Sequence, residues 1–232
     1  MKIDNSTINE KLYALADSDY KAFNEKIIST NYKVLGVRMP ALKKLAKELS
    51  NETNIDTWLK NAEFTTYEHI LLYGLTLGQI KKLSLETIFE YLDPLILKFD
   101  NWAHVDTLVS AFKLFKKYPD EVFEHFLPLK THEGEFTKRF FAILLMDHFM
   151  DEKHIDRTLI QLTEVQQGQY YVDMGIAWAI SVGLVKFYDK TVLLLEQKRF
   201  SKFVHNKAIQ KARESFRIEP EIKEHLNKMK MK

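Results

Sequence analysis

The feature that most restricts the fold of this chain is a nearly constant spacing of apolar helical segments. Such segments are predicted to begin near the following residues, at intervals of roughly 32–35 residues: Thr65, Asp100, Glu135, Gln169 and Ser201. Apolar side chains within them, such as Leu108, Phe112 and Phe115, recur at three and four residues, which is helical spacing. With only 7 Gly and 5 Pro in 232 residues, the chain also lacks the turns of a β-sandwich or barrel. We therefore predict an all-α fold.

Residues that favour helix starts and ends also support the all-α prediction. Three prolines are predicted to open helices, because proline is tolerated in a first helical turn: Pro40, Pro94 and Pro119. Four polar residues suit first-turn or capping positions, and two glycines suit breaks between helices: Asp56, Ser84, Asp120, Asp189, Gly134 and Gly168.

Shorter amphipathic helices are predicted to pair with the apolar ones, at Ser84–Leu92, Pro119–Leu127 and Asp151–Thr163. Paired antiparallel helices at this period stack into an α-solenoid, because each pair must bury one face against the next. A large irregular helical bundle is the structural alternative. We predict one domain over residues 1–232, with one helix of every pair lining a concave surface.

Charge and composition restrict the partners and the compartment. The net charge is +2, but residues 186–232 carry 13 Lys/Arg against 6 Asp/Glu, a local charge of +7. A basic end on a near-neutral protein is typical of a nucleic-acid partner, and a solvated basic tail is the alternative. The absence of cysteine excludes disulfides, thiolate metal sites and cysteine nucleophiles. The longest uncharged stretch, Met174–Val185, is too short to span a bilayer, so we expect a soluble cytoplasmic protein.

Trp102 and Asp106 form the first candidate pair for chemistry. They are four residues apart, so on a helix they share a face. An indole face attracts cations, and a carboxylate stabilises positive charge directly. The pair suits a substrate that is, or becomes, a cation; the alternative is a core aromatic beside a capping or ion-paired carboxylate.

Arg139 and Trp178 are two further candidates, each separated from the previous one by about the interval between successive apolar helices. Arg139 could bind phosphate or pair with Asp106, and Trp178 could contact another surface or fill the core. Trp102 and Arg139 are 37 residues apart, and Arg139 and Trp178 are 39 apart. Equivalent positions in consecutive repeats line up, so the spacing predicts one concave cleft holding two indoles, a guanidinium and a carboxylate.

Five stretches, in this order along the chain, match a known pattern: Val34–Ala46 with its Gly-Val-Arg-Met-Pro run, Asn101–Asp106, Arg139–Phe140, Tyr170–Trp178 and Asn206–Ser215. In these stretches the sequence resembles the AlkD-like DNA alkylation repair proteins, bacterial DNA glycosylases built from HEAT-like helical repeats. The resemblance covers most of the chain.

The resemblance implies hydrolysis of the N-glycosidic bond of cationic N3- or N7-alkylated purines in double-stranded DNA. It implies that the lesion need not be rotated into a pocket, unlike the base flipping usual for glycosylases. It assigns Asp106 as the catalytic carboxylate, Trp102 and Trp178 as indoles against the deoxyribose and backbone, and Arg139 as the nearby arginine. This assignment agrees with the chemistry, because a carboxylate near the sugar stabilises an oxocarbenium-like transition state.

Further residues are predicted to bind DNA or to lie beside the lesion. Lysine and arginine residues at helix ends would contact phosphates: Lys207, Lys211 and Arg213 in the basic C-terminal segment, and Arg38 and Lys43 near the start. Tyr32 and Phe23 are both candidates for an aromatic on the substrate side, and His104 either perturbs Asp106 or points away from it.

No cofactor or metal is expected. The cluster between Asp147 and His154 lacks a His-Glu-x-x-His pattern and is interpreted as a polar corner between helices. We expect a monomer that binds damaged DNA. Two alternatives remain open: a non-catalytic HEAT-repeat protein that binds distorted or branched DNA, and a helical scaffold that binds other proteins.

Overall fold

Every regular element of the chain is a helix within residues 3–232, the range that the computed structural model describes. In that range the only strand-like pairings are two isolated bridges, Ala16 with Val37 and Lys33 with Thr66. The predicted all-α class is therefore confirmed. The chain forms two compact units, the first running through Tyr118 and the second beginning at Pro119.

The described part of the first unit contains seven α-helices and one 3-10 helix. These are α1 (Asn5–Ala14), α2 (Ser18–Asn24), α3 (Met39–Leu49), α4 (Ile55–Asn61), α5 (Tyr67–Leu77), α6 (Leu85–Ile96), α7 (Trp102–Val109) and the 3-10 helix Lys113–Lys117. Helix α5 is central: all of its residues are buried, and α3 and α7 pack against it. Its first turn is closed by a capping box between Thr66 and His69.

The second unit also contains seven α-helices and one 3-10 helix. These are α8 (Pro119–Phe126), the 3-10 helix Leu127–Thr131, α9 (Glu135–His148), α10 (Ile155–Glu164), α11 (Tyr170–Lys186), α12 (Tyr188–Glu196), α13 (Lys202–Glu214) and α14 (Pro220–Lys228). Helix α11 is central here, with α9 and α13 packed against it. Ser201 caps α13 by accepting a hydrogen bond from the Val204 amide.

The predicted starts of the five apolar helices agree with the structure to within two residues. Helices α5, α7, α9, α11 and α13 begin at Tyr67, Trp102, Glu135, Tyr170 and Lys202. Inside each unit these helices pack on one another in chain order, which is the packing that a stack of helical pairs requires. The repeat arrangement of the whole chain, the single domain and the concave DNA-binding face stay predictions.

Two details of the helix predictions are wrong. Pro94 does not open a helix but lies near the end of α6, which begins nine residues earlier because the Ser84 hydroxyl accepts a hydrogen bond from the Thr87 amide. Helix α7 ends at Val109, so Phe112 and Phe115 lie beyond it and stack at 5.1 Å between ring centroids. A 3-10 turn also brings residues three apart together, which explains the misleading spacing.

Candidate functional site

The start of α7 places Trp102 and Asp106 on one face of the helix, both half-buried. The Asn101 side chain caps this start, because its Oδ1 accepts hydrogen bonds from the Ala103 and His104 amides at 3.0 and 3.1 Å. One helical turn separates the indole from the carboxylate. Trp102 and Asp106 therefore share one face of α7, as their spacing of four residues predicts.

His104 lies between them in sequence but points into the interior, where its side chain is fully buried. Since the Asn101 oxygen already accepts backbone bonds, its Nδ2 donates to His104 Nδ1 at 2.9 Å, and His104 Nε2 donates to the Tyr67 carbonyl at 3.2 Å. Both nitrogens are thus used by the neutral ring. Burial lowers the pKa of His104 to about 4, against the opposing effect of Asp100. His104 is a structural residue of the interior.

Polar contacts tie the segment after α2 to the start of α7. The Trp102 indole N–H donates to the Ile27 carbonyl at 3.2 Å, so the remaining exposed part of this side chain is ring surface. The Asp100 carboxylate accepts from the Thr30 hydroxyl at 2.8 Å and from the Asn31 amide at 2.6 Å. These bonds hold the start of α7 against the segment after α2, and the bond to Ile27 fixes the indole.

Of the two candidate aromatics near the N-terminus, only one presents its ring to solvent. Phe23 is 56% exposed and stacks beside Tyr20 at 6.1 Å. Tyr32 is half-buried: its hydroxyl donates to the Lys98 carbonyl at 3.3 Å, and its ring packs edge-on against His104. Phe23 thus exposes more of its ring, whereas Tyr32 lies against the start of α7, and both stay candidates for the substrate-side aromatic.

The Gly-Val-Arg-Met-Pro run is held by a buried carboxylate. Glu68 accepts hydrogen bonds from the amides of Leu35, Gly36 and Val37, the shortest at 2.7 Å. Gly36 has φ +86°, and a Cβ there would lie 2.4 Å from the Asp17 carbonyl oxygen. Only glycine fits this turn without displacement. The run therefore has a structural role, which the sequence alone did not indicate.

The two basic residues predicted near the start of the chain differ in their surroundings. Arg38 makes an ion pair with Asp17 at 2.9 Å, and its guanidinium lies 4.9 Å from the centre of the Tyr20 ring. Lys43 is exposed on α3. Arg38 thus has partners within the protein, and the DNA-binding role of both residues stays a prediction.

In the second unit Arg139 connects α9 to the first turns of α11. The side chain is only 5% exposed, and its Nη1 donates to the Tyr171 carbonyl at 2.7 Å. A Cβ on Gly175 would lie 3.4 Å from this guanidinium, so the arginine packs along the face of α11 that carries Tyr171, Gly175 and Trp178. Arg139 therefore supports the helix face on which Trp178 stands.

Trp178 belongs to an exposed stripe on the otherwise buried helix α11. The indole is 37% exposed and lies in a shallow pocket of about 270 Å³ whose wall includes three cationic side chains, Lys186, Lys211 and Arg217. Glu214 is the one acidic residue of the lining. The pocket therefore combines a flat ring with a net positive rim, which suits a sugar–phosphate backbone.

The structure separates the three basic residues predicted on α13. Lys211 faces Trp178, whereas Lys207 bonds to Gln210 and lies 6.0 Å from the Phe203 ring. Arg213 is two residues beyond Lys211 and so projects from a different side of the helix, with its Nε buried.

Sequence reasoning missed the other two cations of this pocket. Lys186 could have been found, because it lies two helical turns after Trp178 on the same helix. Arg217 follows α13 in a turn and had no such signal.

Residues 3–232 contain no group of three His, Cys, Asp or Glu side chains placed to hold a metal ion. Asp151 instead accepts hydrogen bonds from the Lys153 amide, the His154 amide and His154 Nδ1, as a polar corner before α10. None of the helices in this range is long and apolar enough to cross a membrane.

Comparison with known proteins relates this chain to one family. The family model described as DNA alkylation repair enzyme matches residues 8–182, which is more than half of the chain and includes Trp102, Asp106, Arg139 and Trp178. Neither the curated proteins nor the solved structures gave a match.

Proposed function

The chain belongs to the DNA alkylation repair enzyme family, and from that membership we propose that it is a DNA glycosylase for cationic N3- and N7-alkylated purines. Family membership supports DNA as the partner and alkylation repair as the process. The hydrolysis of the N-glycosidic bond is our proposal. The observation that carries it is the half-buried carboxylate of Asp106, one turn from the indole of Trp102 on α7.

The chemistry needs a carboxylate more than it needs a general acid. An alkylated purine carries a formal positive charge, so it departs as a neutral base when the C1′–N bond breaks. The electron pair of that bond leaves with the base, and the sugar becomes oxocarbenium-like. A carboxylate beside C1′ stabilises this charge and positions or deprotonates the attacking water. We assign both tasks to Asp106.

Trp102 would contribute its ring surface to the same step. Its N–H is already bonded to the Ile27 carbonyl, so the indole keeps one orientation and offers a π face. A π face attracts a developing cation by about 0.5–2 kcal/mol, depending on how far water is excluded. The proposed role is therefore to pack against the deoxyribose while the sugar becomes positive.

The second unit would bind the DNA backbone. Trp178 offers a flat surface, and the rim formed by Lys186, Lys211 and Arg217 offers charge for phosphates. The burial of Arg139 favours a positioning role, in which it holds α11 through the Tyr171 carbonyl.

The deciding experiment measures release of 7-methylguanine and 3-methyladenine from alkylated duplex DNA. We expect the wild-type protein to release at least one of them, and Asp106→Asn to lower the single-turnover rate by about 10²–10³, as for the loss of one preorganised charge-stabilising group. Glu90→Gln on α6, an exposed carboxylate in the same unit, is the matched control and should keep the wild-type rate.

DNA affinity separates this proposal from the two alternatives. Asp106→Asn should bind duplex DNA about as tightly as the wild type, because a carboxylate contributes no phosphate contact. Normal base release by Asp106→Asn would refute the assignment. A wild-type protein that binds DNA with a steep salt dependence but releases no base would instead be a non-catalytic DNA-binding protein, and one without DNA affinity would be a protein scaffold.

A further inference from the structure

A second pocket, of about 540 Å³, lies in the first unit and takes no part in the proposed repair chemistry. It forms where α3, α5 and α7 end and includes part of the 3-10 helix that follows α7. Its apolar lining is aliphatic apart from one phenylalanine: Ile80, Ile88, Ala111, Phe112 and Leu114. Its rim holds four exposed lysines: Lys47, Lys81, Lys113 and Lys117. None of the residues lining this pocket is acidic.

The four rim lysines make no ion pair with any residue of the described chain, 3–232. Two exposed lysines elsewhere pair with a carboxylate, Lys60 with Asp56 at 2.6 Å and Lys190 with Asp156 at 2.8 Å, but most exposed lysines of the described chain do not. What distinguishes the rim lysines is that four of them surround one cavity whose lining holds no acidic residue. Four uncompensated positive charges around one cavity repel one another, and an anionic ligand would relieve that repulsion.

Lysines near helix C-termini often serve to cap the last carbonyl groups, but here other side chains do so. The Lys47 carbonyl accepts hydrogen bonds from Ser50 Oγ at 3.0 Å and from Asn51 Nδ2 at 2.6 Å. The Leu75 carbonyl accepts from Gln79 Nε2 at 3.2 Å. The ends of α3 and α5 are thus satisfied without the ammonium groups.

We propose that this pocket, the lysine-rimmed pocket, binds an acidic peptide segment of a partner protein, with an apolar side chain in its floor. Acidic residues on either side of that anchor would meet the lysines, which matches the charge of the rim. Nucleic acid fits less well. Phe112 is 1% exposed and offers no ring face on which a base could stack, and phosphates would leave the aliphatic floor uncovered.

The position of the pocket allows such a partner to bind without covering Trp102. The indole stands at the first residue of α7, and the pocket begins after its last, so about 12 Å of helix separates them. A repair protein could therefore keep its DNA-contacting residues free while this end of the first unit holds a partner.

A selection from a phage-displayed random peptide library tests the proposal directly. The full-length protein is the target, and the double variant Lys47→Glu/Lys113→Glu is used for counter-selection. We expect enriched peptides in which Asp or Glu flanks a Leu, Ile or Phe. The synthetic form of an enriched peptide should bind the double variant at least roughly tenfold more weakly, since each lost or reversed charge pair weakens association.

The matched control is Lys82→Glu/Lys116→Glu, which makes the same change in net charge outside the pocket lining: Lys82 follows the rim residue Lys81, and Lys116 lies with Lys113 on the 3-10 helix after α7. It should bind the peptide within about twofold of the wild type, because these lysines do not face the ligand. In the wild type, bound peptide should slow hydrogen exchange at residues 78–81 and 111–114.

Three results would each overturn the proposal. The first is a selection that enriches no acidic–apolar peptide. The second is equal peptide binding by the pocket variant and the control. The third is a loss of duplex DNA affinity in the pocket variant that equals its loss of peptide affinity, which would assign the pocket to nucleic acid. All exposed lysine variants should unfold near the wild-type temperature, and base release should be unchanged by the pocket pair.

Discussion

The buried imidazole of His104 makes the first unit less stable in acid, by an amount that follows from its pKa. The side chain is fully buried, and its pKa falls from the ordinary 6.5 to about 4 because burial penalises the charged ring. Between these two pH values the His104 ring is protonated in the unfolded chain but neutral in the folded chain. Stability is therefore lost as the pH falls below about 6.5, and the full loss is reached below about 4.

The effect of His104 on the free energy of unfolding is small at pH 7 and large at pH 5. With pKa values of about 4 folded and 6.5 unfolded, His104 contributes almost no pH dependence at pH 7. At pH 5 the same values reduce the free energy of unfolding by about 2 kcal/mol. In a protein of ordinary stability that is a large fraction of the total.

Urea denaturation at pH 7 and pH 5 measures this difference, with His104→Gln as the comparison. Glutamine can still accept from Asn101 and donate to the Tyr67 carbonyl but does not titrate. Other groups, such as His69, whose pKa burial also lowers, contribute equally to both proteins. The wild type should lose about 2 kcal/mol more than the variant between the two pH values. Equal losses in both proteins would show that His104 does not stay neutral in the folded state, and the hydrogen-bond assignment would be wrong.

Two further predictions concern helix packing and DNA binding. Gly74→Ala should destabilise the protein by about 1–3 kcal/mol, because its Cβ would lie 2.6 Å from the buried side chain of Leu108. Gly175→Ala should instead stabilise it by about 0.5–1 kcal/mol, since its nearest neighbour is at 3.4 Å and alanine favours helix; urea denaturation distinguishes the two signs. Lys211→Ala and Arg217→Ala should each lower the slope of log affinity for duplex DNA against log salt by about 1, measured by anisotropy titration; unchanged slopes would remove the Trp178 pocket from the DNA interface.

The sequence was sufficient to place the long helices because their start signals are local. Asn101 and Ser201 cap the helices that follow them by side-chain bonds to amides two or three residues on. Such bonds depend only on residues close in sequence, so the sequence pattern alone can predict them. Pro94 misled the same reasoning because proline is favoured in a first helical turn, whereas here it lies inside α6, two residues before its end.

The candidate site was predictable only where one helix carries it. Trp102 and Asp106 share a face of α7 because they are four residues apart, which needs no tertiary information. The burial of Glu68 against the amides around Gly36 joins residues more than thirty positions apart. The approach of Arg217 to Trp178 depends on how α13 and the following turn pack. Contacts of this kind arise from the assembled unit, and a single sequence does not encode them as a pattern.

The polar groups around the start of α7 fix the first turn of the helix that carries Asp106. Asp100, Asn101 and His104 form a chain of hydrogen bonds that runs from the segment after α2 to the Tyr67 carbonyl. None of these three residues needs to touch DNA for this purpose. A charge stabilises a transition state most when it is held in place before the reaction, since no reorganisation is then required. The buried, uncharged His104 therefore serves the proposed chemistry by its rigidity, and its acid sensitivity is a consequence of the same burial.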